Sequence, residues 1–156
     1  MLEGLFVTPA ATAIAEALAS AGVTTAGGPI AVVGNARLAA ALAEGRDVLP
    51  VGMPPRAAKK LARHLADTSS LTPGSLAAVV GVDVATLAAW EDTLRAWVRV
   101  VRDGGAIVFV DRGHAQEASR RALCAGLCEL EQRRAGRAVI TSGLVTHLDP
   151  AGIPAG

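Results

Sequence analysis

At 156 residues, 51% hydrophobic and 19% charged, the chain is long enough for one domain with a proper core and too short for two. That apolar content excludes disorder over most of the length. A net charge of +1 gives no electrostatic case for a dedicated nucleic-acid or membrane surface.

Taken in order, Thr8-Pro9 followed by AATAIAEALASAG predicts a helix over about 8–21, with Thr8 as cap and Ala10, Ile14, Ala17 and Leu18 on its buried stripe. Ile30 to Val33 reads as a short buried strand, Gly34-Asn35 as a turn, Ala36 to Glu44 as an Ala-Leu helix, and Asp47 to Val51 as the next strand. Gly52-Met53-Pro54-Pro55 breaks that strand, and Arg56 to Ala66 is expected to resume as a basic helix. Asp67 to Pro73 is polar and irregular. Leu76 to Val82 and Ala106 to Val110 are unbroken apolar runs of the kind that form strands covered on both faces. Between them Val84 to Arg102 carries Leu87, Trp90, Leu94, Trp97, Val98 and Val101 at helical spacing, with Asp83 placed to cap it and Gly104-Gly105 to stop it. His114 to Arg134 is expected to be one long helix, with Cys124 and Cys128 as small core residues on a single face. Arg137 to Leu148 is a final strand, with Gly143 as a bulge or bend. Residues 151–156 are a Pro/Gly tail expected to be loose, leaving a single domain over 1–150.

Strands alternating with helices make an α/β three-layer sandwich around a mostly parallel sheet. Two cysteines at a spacing unsuited to a structural disulfide, and a start (MLEGLFVTPA) without a basic n-region, make the cytoplasm the expected compartment. No stretch reaches the roughly 18 apolar residues of a spanning helix. His64, His114 and His147 lie far apart and have no second ligand at metal spacing, so no metal site is expected.

The run Gly74-Ser75-Leu76-Ala77-Ala78-Val79-Val80, a helix, and then Arg99-Val100-Val101-Arg102-Asp103-Gly104-Gly105-Ala106-Ile107-Val108-Phe109-Val110-Asp111 resembles the second half of a class I S-adenosylmethionine-dependent methyltransferase domain. The resemblance covers roughly residues 28–148 and implies a Rossmann-like sheet. Its ligand crevice would lie at the carboxyl ends of the first and fourth family strands, where strand order reverses. Gly34, Asn35, Val82 and Asp83 are the residues at that crevice, with Gly52 and Met53 at the end of the neighbouring strand and Asp67 where the family carries an acid that meets adenine.

The motifs depart from the family. Only Gly34 matches the glycine pattern of the first turn, and Val32, Ala36 and Leu38 stand at the other positions. Gly52 falls where a carboxylate would grip the ribose hydroxyls, and a missing charge-assisted hydrogen bond forfeits roughly 1.5–3 kcal/mol. The terminal antiparallel hairpin is expected to be truncated to one strand. The sequence therefore reads first as a degenerate, non-catalytic methyltransferase-like module with no cofactor, acting through a protein partner or as a homodimer whose contact is Ala138 to Thr146. The alternatives are a small active methyltransferase that uses S-adenosylmethionine, and a Rossmann-like binder of another small molecule. Membrane and nucleic-acid partners rank last, the latter because there is no Tyr and little other aromatic surface to stack bases.

Overall fold

The computed structural model describes residues 2–147, with side chains from residue 9 onward; the tail expected at 151–156 lies outside them. Six strands form one sheet in the order β2-β1-β3-β4-β6-β5. They are β1 (Ile30–Val33), β2 (Val48–Val51), β3 (Leu76–Val82), β4 (Val101–Arg112), β5 (Cys128–Ala135) and β6 (Ala138–Leu144). β2, β1, β3 and β4 are parallel, and β6 runs antiparallel to both of its neighbours. Helices α1 (Leu2–Ser20) and α2 (Ala36–Ala43) contribute to the core on one face, through Ile14, Leu18 and Leu38 among others. On the other face α4 (Trp90–Val100) and α5 (Ala115–Cys124) pack through Leu94, Trp97, Ala118 and Ala122. The three-layer sandwich is as expected. The apolar runs of β3 and β4 are buried because they lie in the middle of the sheet with helices on both sides.

Several boundaries differ from the sequence reading. α1 begins at Leu2 and runs through Pro9 instead of starting at Thr8; a proline removes one ladder donor, and the helix continues across the gap. The basic segment after β2 forms only the single turn α3 (Pro55–Ala58). Beyond it the chain folds back, and Leu65 forms an isolated parallel bridge with Val51.

Val84 to Arg102 is not one helix. Asp83 adopts a left-handed conformation (φ 56°) and makes no side-chain cap, a 3-10 turn follows at Val84–Thr86, and α4 starts only at Trp90. Arg121 explains the interruption: its Nη1 donates to the carbonyl oxygens of Val84 (2.7 Å) and Leu87 (2.8 Å), drawing both toward α5.

The largest correction concerns the terminal hairpin, which is complete. The long helix expected over His114 to Arg134 ends at Cys124, and Cys128–Ala135 is strand β5, paired antiparallel with β6. Gly126 (φ 85°) turns the chain. The irregularity expected at Gly143 falls on the opposite strand. Glu129 and Leu130 together face Gly143, and the register of β5 shifts between Cys128 and Glu131. Cys124 and Cys128 thus belong to different elements, and both are exposed rather than core residues.

The contact expected at Ala138 to Thr146 is also displaced, because β6 is paired on both sides, with β4 and with β5. The sheet edges are β2 and β5, and each is blunted. On β2, Pro50 has no N–H to offer, its carbonyl takes the Leu65 N–H at 3.0 Å, and Arg63 Nη2 covers the Val48 carbonyl at 3.1 Å. β5 carries Glu129, Glu131, Arg133 and Arg134 along its length, and charged side chains on an edge discourage strand addition.

Candidate ligand crevice

The chain order reverses between β1 and β3: from β1 it passes to β2 on one side, then returns to β3 on the other. Loops leaving adjacent strands in opposite directions open a crevice at their carboxyl ends. Gly34 leaves β1 with φ 83°, and its N–H is bonded to the Val51 carbonyl at 2.9 Å. A Cβ built there would stand 3.6 Å from Val82 Cγ2, so the turn after β1 and the end of β3 are in van der Waals reach. Gly52 leaves β2 with φ 62° and is exposed; the nearest atoms to a Cβ there would be the Ala66 carbonyl at 3.5 Å and Val33 Cγ1 at 3.8 Å. Three of the candidate positions thus gather along one edge, Gly52, Gly34 and Val82, with Asp83 next in chain.

Other candidates are held by structural duties. Asn35 Oδ1 accepts the Leu38 N–H at 2.9 Å as the cap of α2. Met53 is half-buried and packs against the core on the α1–α2 face. Asp67 is exposed and accepts from the Ser69 hydroxyl (2.5 Å) and the Ser69 N–H (2.8 Å), an Asx turn. Those two bonds, the hydroxyl's first, hold its carboxyl below the ordinary value. Arg99 fixes the rest of that loop: its Nη2 faces the carbonyls of Thr68 (3.2 Å), Ser69 (3.5 Å) and Leu71 (3.2 Å).

Asp111, which the sequence reading used only to mark the end of a strand, fixes the turn beside the crevice. It is 1% exposed, its Oδ1 accepts the Ala85 N–H at 2.8 Å, and its Oδ2 has no hydrogen-bond partner among the described residues. Burial pushes its pKa up from the ordinary 3.8, partly opposed by the Ala85 bond, and Asp83 adds to the rise. The native state therefore keeps this proton at pH values where the unfolded chain has lost it. Stability from Asp111 is full below the unfolded value and declines as pH rises through the folded one. In Asp111→Asn, which keeps an oxygen for Ala85, chemical denaturation across pH 3–7 should lose that component of the slope. An unchanged profile would show that Asp111 titrates as in the unfolded chain.

Arg121 completes the turn's support. With Arg120 it holds Glu117 at a pKa of about 2, the Arg120 bond being the larger cause. Both guanidiniums also lie over the Trp90 ring, at 5.0 and 5.5 Å from its centroid. Among the described residues no group of three or more His, Cys, Asp or Glu is placed to hold a metal ion, and no helix is long and apolar enough to cross a membrane.

No family model and no curated protein matches the chain. Solved structures do. A SAM-dependent methyltransferase from Aquifex aeolicus superposes at a TM-score of 0.65 with 10% identity, covering 90% of this chain and 91% of that one. Geranyl diphosphate methyltransferase in complex with SAM superposes at 0.63 with 11% identity, covering 86% and 85%. The T. thermophilus 16S rRNA methyltransferase in complex with AdoMet and guanosine superposes at 0.58 with 17% identity over 76% of this chain, which spans only 35% of that protein's length.

The chain has the class I methyltransferase fold. Identities this low carry the architecture alone. Within it, β3 and β4 are the strands that the sequence resemblance picked out, and β5 and β6 form an antiparallel pair at one edge of the sheet.

Proposed function

We propose that this chain binds S-adenosylmethionine at the carboxyl ends of β1 and β3 and is a small methyltransferase. The observation that carries the reading is the reversal of strand order between β1 and β3, where the left-handed turn at Gly34 meets the end of β3 at Val82. Its support is the complete terminal hairpin, which the sequence reading counted as lost, in a fold shared over nearly full length with a SAM-dependent enzyme. In this reading Asp67 would serve the adenine end and Asp83, at the carboxyl end of β3, the reacting end.

Calorimetry with S-adenosylmethionine and its demethylated product is the test. Binding tighter than about 100 μM, roughly 5.5 kcal/mol, is expected. No heat at millimolar ligand would overturn the reading.

A second reading, a non-catalytic module that works through a protein partner or as a homodimer, is favoured by one specific observation: the residue that follows β2 is an exposed glycine, Gly52, in place of a carboxylate. Solution scattering that shows a clean monomer at high concentration would count against the homodimer form. A binder of some other small molecule in the same crevice would reveal itself by a ligand carried through purification.

A further inference from the structure

We infer that the β2 end of the crevice is an anion subsite, and that adenine nucleotides with a phosphate on the 2′ or 3′ hydroxyl of the ribose compete there with S-adenosylmethionine. This rests on the reading that the crevice takes an adenosyl group, and adds the charge of the sugar it selects.

Between Asp47, which pairs with Arg63, and Asp67, whose carboxylate accepts from Ser69, residues 48–66 contain no Asp or Glu, yet Arg56, Lys59, Lys60 and Arg63 fall within them. Arg63 is consumed locally by Asp47 and the Val48 carbonyl. Arg56, Lys59 and Lys60 are exposed, and none forms an ion pair among the described residues. The excursion after β2 is closed at its neck, where the Gly52 N–H donates to the Leu65 carbonyl at 2.8 Å and the Leu65 N–H to the Pro50 carbonyl at 3.0 Å. The three cations therefore sit on a short loop whose two ends meet beside Gly52.

The chemistry at this place is selective. A free ribose diol donates hydrogen bonds and is best met by a carboxylate at the end of the second strand. A phosphate in place of one of those hydroxyls replaces a donor with acceptors and negative charge, and is met by Arg or Lys in a site without the carboxylate. Gly52, with nothing nearer than 3.5 Å to an added Cβ, removes both the acid and its bulk. What looks like a damaged diol site is, in charge, a phosphate site.

The test uses the full chain and four probes: S-adenosylmethionine, adenosine 5′-monophosphate, and adenosine bisphosphates with the second phosphate on the 2′ or the 3′ hydroxyl. A ribose-phosphorylated probe should bind about tenfold or more tighter than the monophosphate at low salt and should displace S-adenosylmethionine. The gap should shrink as salt rises. In the variant Arg56→Ala, Lys59→Ala, Lys60→Ala the gap should vanish while the melting temperature holds, since all three side chains are exposed.

Equal affinities, or a gap that survives in the variant, would overturn the inference. If S-adenosylmethionine binds and the bisphosphates do not, the anion subsite falls and the methyltransferase reading stands. If the bisphosphates bind and S-adenosylmethionine does not, the reverse holds, and if nothing binds both fall. A short single-stranded RNA that binds through the same three residues while the bisphosphates fail would also overturn it, in favour of a polynucleotide.

Discussion

Replacing Gly81 with alanine is expected to cost about 3 kcal/mol of stability, at the upper end of what overpacking a core produces. Gly81 lies in the middle of the sheet, paired with Val33 on β1 and Phe109 on β4. A Cβ at this position would stand 2.1 Å from Trp97 Cη2, 2.7 Å from Cζ3 and 3.1 Å from Cζ2. Trp97 is 5% exposed and is part of the same core as Leu94, Phe109 and Ile107, so the indole has no solvent to swing into. Either α4 lifts from β3 or the ring leaves its rotamer, and each loses contacts that the remaining side chains cannot replace. For a chain of this size the loss corresponds to a fall in melting temperature of roughly 6–12 °C.

Trp97→Leu alone also destabilises, because it empties a buried volume. The two changes should be strongly non-additive, however, since the smaller side chain makes room for the methyl group. A double-mutant cycle by urea denaturation reads the coupling directly. Additive losses, or a Gly81→Ala variant within about 0.5 kcal/mol of the parent, would show that Trp97 does not rest on the strand as described.

This pair also shows what was legible in the sequence. The buried runs of β3 and β4, the glycine at 81 and the helical spacing of Leu94 and Trp97 could each be read from local pattern, and the three-layer sandwich followed from their alternation. The close approach of the Trp97 ring to Gly81 could not, because it depends on where α4 crosses the sheet. The terminal hairpin was missed for a related reason. Leu123, Leu127 and Leu130 repeat at intervals that mimic a helix, and Glu131-Gln132-Arg133-Arg134 has high helix propensity. Pairing with β6 overrides that propensity, and Gly126 was the one local signal that a boundary lay there.

Around the crevice the turns at Gly34 and Gly52 were legible as glycines after strands. Asp111 was not, since its role depends on an amide 26 residues away at Ala85. Arg99 reaches loop carbonyls 28 to 31 residues away, and Arg121 reaches carbonyls 34 and 37 residues away. Long side chains that satisfy backbone groups leave no periodic trace in sequence.

Gly52→Asp should do the opposite of most substitutions at a glycine, and raise affinity for S-adenosylmethionine by about one to two decades. A carboxylate restored at the end of β2 would accept from the ribose hydroxyls in charge-assisted hydrogen bonds, worth about 1.5–3 kcal/mol. The position has space, because the nearest atoms to its Cβ lie at ordinary van der Waals distance, 3.5 and 3.8 Å. Its left-handed backbone (φ 62°) costs an L-residue about 1–2 kcal/mol, and Asp is among the side chains that bear it best. A fall of a few degrees in melting temperature should therefore accompany the gain, and calorimetry on the folded variant separates the two. The same carboxylate would stand beside Arg56, Lys59 and Lys60 and repel a phosphate, so the tenfold preference for ribose-phosphorylated adenine nucleotides should shrink or reverse as S-adenosylmethionine affinity climbs. A folded Gly52→Asp protein that leaves both affinities where they were would mean that the sugar of any bound nucleoside lies elsewhere than beside β2.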